Sequence, residues 1–307
     1  MIRKILGMLA LFLLMVLNGT AQPQKSRKYI VDVQAHRGGM GLYPEESLEA
    51  MINAVNLGVN TLEMDLGITK DRKVVLSHEK YFTHHTATHP DGTLVQKGDP
   101  KEYIWHMPYD SVAKYDVGFR RHPEMPEQQL IPTPKRLLED VVATVEAYTK
   151  RNHLEPMNYN IEIKSEGDSN GGIEGRDWPE YHEFVDICMS ALDTLNLGDR
   201  LIIQSFDTRA LNYINEAYPG HHLAYLIGGR SGTYDEFMGR LNFTPEWFSP
   251  AWTVLNKEMV DRAHADGMKI VTWTVDEKDQ MRSVINIGVE AVITNYPNRL
   301  LEVVAEY

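Results

Sequence analysis

Cysteine is almost missing: the 307 residues contain one, Cys188. A single cysteine cannot close an internal disulfide, and it excludes a zinc site built on cysteines. It sits in FVDICMSAL, a helix-core pattern in which a thiol packs and does not react. Basic charge is also scarce. Lys and Arg total 31 against 43 Asp and Glu, for a formal charge of −12. That balance argues against nucleic acid as a partner. An anionic ligand must be held by a local positive feature, either a metal ion or a few basic side chains. Long apolar runs are confined to the start, MIRKILGMLALFLLMVLNGTAQ. Arg3 and Lys4 open it, Ile5 to Leu17 form an apolar core, and the small residues Gly19 and Ala21 follow. The core is shorter than the roughly 20 residues of a spanning helix, so residues 1–21 read as a secretory signal peptide rather than a membrane anchor. No cysteine lies beside the expected cleavage site, so lipid attachment has no support. The expectation is a secreted or periplasmic protein with no stable membrane anchor.

Residues 22–307 are long enough to bury a substantial core and read as one domain. They hold no low-complexity tract and no short repeat. Eight segments read as strands: YIVDVQAH, NTLEMDLGI, NYNIEIKS, RLIIQSFD, HLAYLIG, EWFSPAW, KIVTWTVD and AVITNY. Helix patterns separate most of them, among them ESLEAMINAVNLG, EYHEFVDICMSALDTLN and TRALNYINEAY, and several end in Gly. This alternation implies parallel βαβ units, and eight of them imply an α/β fold, a closed (β/α)₈ TIM barrel. An open doubly wound sheet is the alternative. It lacks the GxGxxG that would follow the first strand. The rhythm breaks after the second strand. A polar region rich in His, Pro, Gly and Asp runs from about 80 to 132 and reads as an inserted subdomain or lid.

In such a barrel, chemistry lies at the carboxyl ends of the strands. The first strand delivers His36 and Arg37 there, inside AHRGG. The second delivers Glu63 and Asp65, and the third Glu162 and Lys164. The i, i+2 spacing puts each of these last two pairs on one face, toward the barrel interior. An inward charge is costly unless it is paired or holds a metal. Three carboxylates make a hard oxygen site suited to one divalent cation, Ca²⁺ or Mg²⁺. If LEMDLGITKDRKVVLSHE turns at Asp71-Arg72, Asp65 stands opposite His78 and the two share a face. His36 at a strand end can do acid–base work. Arg37 offers a forked cation to phosphate, and Gly38 and Gly39 permit close approach.

The ordered set AHRGG, YPEES, LEMDLGITKD, VVLSHE, NIEIK, QSFD, TWTVD and ITNYP resembles the glycerophosphodiester phosphodiesterases, from about Tyr29 to the C-terminus. The resemblance implies a phospholipase C-like barrel and cation-dependent hydrolysis of glycerophosphodiesters to glycerol 3-phosphate and an alcohol. It implies His36 and His78 as the acid–base pair, and Glu63, Asp65 and Glu162 as metal ligands. Arg37 and Lys164 would contact phosphate, Glu45 would complete the polar rim, and Trp273 would wall the glycerol side. Three positions depart from the family pattern. Glu46 and Asp276 stand where Asn is usual, and Asn295 stands where Asp is common. The nucleophile is either the substrate's own glycerol hydroxyl or water, and either histidine could be the acid. A phospholipase or lysophospholipase D-type activity ranks second. A non-catalytic barrel that binds a phospho-ligand ranks third, because a binder needs no pair of histidines. His84, His85 and His89 read as a turn-rich loop and not a second metal site; Trp105, Tyr109 and Tyr115 read as packing within the insertion.

Overall fold

The computed structural model describes residues 30–166, 172–229 and 232–307. The expected signal peptide lies outside them.

Nine strands form one sheet: β1 (Asp32–Ala35), β2 (Thr61–Ile68), β3 (Val74–Leu76), β4 (Asn158–Ile163), β5 (Leu201–Ser205), β6 (His222–Ile227), β7 (Trp247–Pro250), β8 (Lys269–Thr272) and β9 (Ala291–Thr294). Parallel pairing runs in ring order from β1 through β2 and β4 to β9, and β9 pairs back on β1, so the barrel closes. The eight ring strands are the eight expected from the sequence. β3 is the exception. It runs antiparallel to the end of β2, which continues past the end of β1 and would otherwise be an open edge.

Helices follow the ring strands: α1 (Leu48–Leu57), α2 (Leu138–Arg151), α3 (Tyr181–Thr194), α4 (Thr208–Ala217), α5 (Tyr234–Met238), α6 (Lys257–Ala265), α7 (Lys278–Ile287) and α8 (Pro297–Val304). Their starts obey capping chemistry. The side chains of Ser47, Asp207 and Asn256 each accept a backbone N–H of the first turn of α1, α4 and α6. Two helices went unread in the sequence. α5 carries a full capping box between Thr233 and Glu236, and α8 has proline in its first turn. Both are short, so their periodicity is weak.

Strand alternation divides the interior. Leu62, Met64, Leu66, Tyr159, Ile161 and Ile163 face outward into the large core shared with the helices, which also holds Cys188. Inward residues differ by side. The barrel half formed by β5 to β9 is lined by Ile202, Ala224, Trp247, Val271, Ala291 and Ile293. The half formed by β1, β2, β4 and the inner face of β5 is polar. Asn160 donates to Gln34 at 2.8 Å and to Gln204 at 3.1 Å. Gln204 in turn donates to Glu63 at 2.8 Å. These amides give Gln34, Gln204 and Glu63 buried donors that a leucine layer would not supply, while Asn160 Oδ1 stays buried without a partner.

Between β3 and α2, residues 80–132 build their own small core on Phe82, Ala87, Val95, Ile104, Val112, Tyr115 and Val117. Phe82 and Tyr115 stack with ring centroids 3.8 Å apart. Trp105 packs against the main core and Tyr109 against the smaller one. Gln128 ties this segment to the loop after β1 by donating to the carbonyls of Met40 and Tyr43 at 2.9 and 3.2 Å.

Candidate active site

The stretch AHRGG turns sharply out of β1. His36 to Gly38 form a single 3₁₀ turn, and Arg37 takes a left-handed conformation at φ 50°. Such a conformation is uncommon for a non-glycine residue. It is held because the Arg37 backbone N–H donates to Glu63 Oε2 at 2.8 Å. Gly38 has φ +78°, and a Cβ there would meet the Ala50 Cβ at 2.8 Å. The close approach that Gly38 permits is therefore made by helix α1, and the one at Gly39 by Pro297 of α8.

Glu63, Asp65 and Glu162 come together as the sequence implied. One carboxylate oxygen from each lies within 4.8 Å of the others, and all three side chains are buried. The register explains it: Asp65 pairs with Glu162 across β2 and β4, and Glu162 with Gln204 across β4 and β5. Three buried carboxylates cannot all be comfortable as anions. Burial, then Asp65, pushes Glu63 up to about 8. Burial raises Glu162 well above its ordinary value too, against the pull of Lys164. Burial would also raise Asp65, but Lys164, His78 and Arg37 outweigh it and hold that carboxyl below its usual range. Asp65 Oδ2 is buried with no hydrogen bond. A crowded, all-oxygen set, in which Asp65 Oδ2 accepts no hydrogen bond and is met only by the Arg37 charge, fits a hard divalent cation.

Arg37 and Lys164 border this cluster. Arg37 Nη1 pairs with Glu45 at 2.5 Å and Nε with Asp65 at 3.2 Å. Lys164 Nζ pairs with Glu162 at 2.7 Å and lies 3.9 Å from Asp65. Glu45, expected on the polar rim, thus has its carboxylate set against Arg37. Trp273 follows directly on β8 and packs against the apolar half of the barrel interior. Its ring donates to the Ser249 carbonyl at 2.9 Å and meets Phe206 edge-on at 5.4 Å. Phe206 in turn lies under Lys164, with Nζ 6.0 Å from the ring centre.

The hairpin register corrects one expectation. Leu66 pairs with Leu76, so Ser77, not His78, stands opposite Asp65, and Ser77 N–H donates to the Asp65 carbonyl at 2.9 Å. The cause is the turn. It is a three-residue loop closed by Thr69 and Lys73, with Arg72 left-handed at φ 61°, not a two-residue turn. His78 still reaches the site from just beyond β3, close enough to Asp65, Arg37 and Lys164 to feel their charges.

The two histidines have different partners. His36 Nδ1 lies 2.6 Å from Asn295 Oδ1, a neutral amide. Burial, then the Arg37 charge, pushes His36 down to about 3. His78 Nδ1 lies 2.9 Å from Glu79 Oε1, a carboxylate, and this bond holds Glu79 down to about 2. Burial, Lys164 and Arg37 lower His78.

Several site residues were not read from the sequence as functional: Gln204, Phe206, Glu79 and Lys135. Lys135, just ahead of α2, is brought to the site by the chain's return from the insertion, and donates to Ser77 Oγ at 2.7 Å. Glu46, noted as a departure, accepts the Asp65 N–H at 2.9 Å through one oxygen, while its other oxygen is buried without a partner. Burial, then Asp65 and Glu63, raises it well above its ordinary value.

Residues 36–299 match the model of the glycerophosphoryl diester phosphodiesterase family. The chain belongs to this family. It is a phosphodiesterase. A glycerophosphodiester phosphodiesterase of Caldanaerobacter subterraneus subsp. tengcongensis is 26% identical over 272 residues, 89% of this chain and 97% of that protein. Human lysophospholipase D is 26% identical over 302 residues, 94% of this chain and 91% of that protein. The barrel also superposes on an Oleispira antarctica phosphodiesterase crystallised with its product sn-glycerol-3-phosphate. That likeness has a TM-score of 0.68 at 19% identity and covers 89% of this chain and 96% of that one. Among the described residues, no helix is long and apolar enough to cross a membrane.

Proposed function

We propose that the chain hydrolyses glycerophosphodiesters to glycerol 3-phosphate and a free alcohol, using one divalent cation, Ca²⁺ or Mg²⁺, at Glu63, Asp65 and Glu162. One observation carries this reading. A carboxylate cluster able to hold a cation shares a barrel mouth with two histidines whose partners differ in charge. The names of the bacterial relatives support the substrate class.

A phosphodiester is anionic and resists attack, and a bound cation would neutralise charge on its oxygens. Arg37 and Lys164, held in place by Glu45, Asp65 and Glu162, orient the phosphate and stabilise the charge that develops in the transition state. His36 is the base. Its Nδ1 hydrogen is engaged by the Asn295 oxygen, which leaves the Nε2 lone pair for a proton. It takes that proton from the attacking group, either water, which gives glycerol 3-phosphate directly, or the substrate's own glycerol hydroxyl, which gives a cyclic phosphate that a water then opens to glycerol 3-phosphate. His78 is the acid. The Glu79 carboxylate stabilises its imidazolium, and substrate phosphate offsets the Arg37 and Lys164 charges that oppose it. It hands its proton to the leaving alkoxide. Trp273 and Phe206 wall the glycerol side.

A second reading, hydrolysis of lysophospholipids, is favoured by one feature: the insertion exposes Leu94, Phe119 and Leu130, apolar surface that an acyl chain could cover. The likeness to human lysophospholipase D points the same way. Residues 1–21 are proposed to export the enzyme, and N-terminal sequencing of the protein recovered outside the cytoplasm tests this. The test of function is product analysis. Glycerophosphocholine should give glycerol 3-phosphate and choline. Release of phosphocholine and glycerol, or no turnover of any glycerophosphodiester, would overturn the reading.

A further inference from the structure

Asp276 and Asn295 leave the ends of adjacent strands, β8 and β9, and meet behind His36. Asn295 Nδ2 donates to Asp276 Oδ2 at 2.7 Å. Asp276 Oδ1 accepts the Asn295 backbone N–H at 2.9 Å and the Thr294 hydroxyl at 3.2 Å. The Asp276 carbonyl accepts from Arg299 at 3.1 Å. Asn295 Oδ1 then faces His36 Nδ1 at 2.6 Å.

An amide is ambiguous by itself, because either end could face the imidazole. The carboxylate removes the ambiguity. It only accepts, so the amide must turn its NH₂ to Asp276 and its oxygen to His36. That oxygen can only accept, so His36 must carry its hydrogen on Nδ1. Nε2 is left bare toward the site. We propose that Asp276, acting through Asn295, is the positioning residue that fixes the His36 tautomer, and that the two positions work as one exchangeable carboxylate–amide pair.

Exchangeability follows from the bond directions. When the two side chains trade places, the amide oxygen at position 276 accepts the same backbone N–H and Thr294 hydroxyl. The amide NH₂ donates to the carboxylate now at position 295, which accepts the His36 hydrogen. Every hydrogen bond to His36, to Thr294 and to the backbone keeps its sense. In the single exchanges that is lost. Asp276→Asn frees the Asn295 amide to rotate and offer NH₂ to Nδ1, which selects the Nε2–H tautomer. Asn295→Asp sets two carboxylates side by side. The importance of the tautomer for catalysis rests on the reading of His36 as base; the tautomer itself does not.

The test is long-range ¹H–¹⁵N NMR of His36 in the full protein, with kcat and KM measured in parallel. The wild type should show Nδ1–H. Asp276→Asn should shift His36 toward Nε2–H and lower kcat by about 10- to 100-fold with little change in KM, the usual cost of losing such an outer partner. The D276N/N295D double variant should regain Nδ1–H and recover kcat above either single. Asp276→Asn with an unchanged tautomer would overturn the proposal, as would a double variant no better than the singles. If a single variant fails to fold, a folded double variant with Nδ1–H supports the pair and one with Nε2–H overturns it. A correct tautomer in a protein that turns over no glycerophosphodiester leaves the pairing standing and removes the proposed function instead.

Discussion

Arg37 Nε lies 3.2 Å from Asp65 Oδ2, so the residue proposed to hold phosphate touches a residue proposed to hold the cation. The anion and cation subsites share a wall. Their electrostatics are coupled, and the coupling has measurable consequences.

The first concerns pH and stability without metal. Glu63 is raised from 4.5 to about 8 by burial and by Asp65. A carboxyl raised in the folded state favours the protonated fold. Its contribution is fully present below pH 4.5 and is lost as pH rises toward 8. His36, pushed down to about 3, works in the opposite sense up to about pH 6.5 in any variant that keeps it, so the readout is the difference between chelated wild type and chelated Glu63→Gln. Relative to the variant, the wild type should lose Tm as pH rises from 5 to 8, and saturating divalent cation should remove that relative loss. A difference in Tm that stays constant from pH 5 to pH 8 in chelator would contradict the assignment.

The histidines should separate by leaving group. His36→Ala and His78→Ala should each lower kcat by roughly 10²–10⁴-fold on glycerophosphocholine while remaining folded. An aryl phosphodiester leaves without needing a proton. His78→Ala should recover most of its rate on a p-nitrophenyl ester, and His36→Ala should not. Equal recovery by both would remove the acid–base assignment.

Gly38→Ala should lower Tm and activity together. The added Cβ would meet the Ala50 Cβ at 2.8 Å in a left-handed backbone region. Strain of this kind costs about 1–3 kcal/mol. Because Arg37 is the preceding residue, KM should rise as well. A variant with unchanged Tm and KM would show that the loop after β1 can relax freely.

The insertion should set alcohol preference. It leaves the chain just after His78 and rests on the loop that follows His36 through Gln128. A variant resealed between about residues 80 and 132 is compared with the parent on glycerophosphocholine, glycerophosphoethanolamine and glycerophosphoinositol. Unequal losses in kcat/KM are expected. A uniform loss would make the insertion a structural cap.

Much of this was legible because strand alternation is a strong code. The inward positions of β2 and β4 carry Glu63, Asp65 and Glu162, and parallel register alone brings them together. Register across a turn is a weaker code. Asp71-Arg72 looks like a two-residue turn, and the extra loop residue moves Asp65 from His78 to Ser77. Contacts between distant loop ends carry no local signal. Nothing in TWTVD or ITNYP shows that Asp276 and Asn295 meet 2.7 Å apart. Lys135 is invisible for the same reason, since only the folded insertion returns it to Ser77.

The central claim is that Glu63, Asp65 and Glu162 hold a divalent cation on which phosphodiester cleavage depends. The most direct measurement is glycerol 3-phosphate release from glycerophosphocholine by exhaustively chelated enzyme, before and after Ca²⁺ or Mg²⁺ is added back, alongside Glu162→Gln. The wild type should be inactive when chelated and recover with one of the two ions, and the variant should need far more ion or fail to recover. Full turnover by the chelated wild type would contradict the claim.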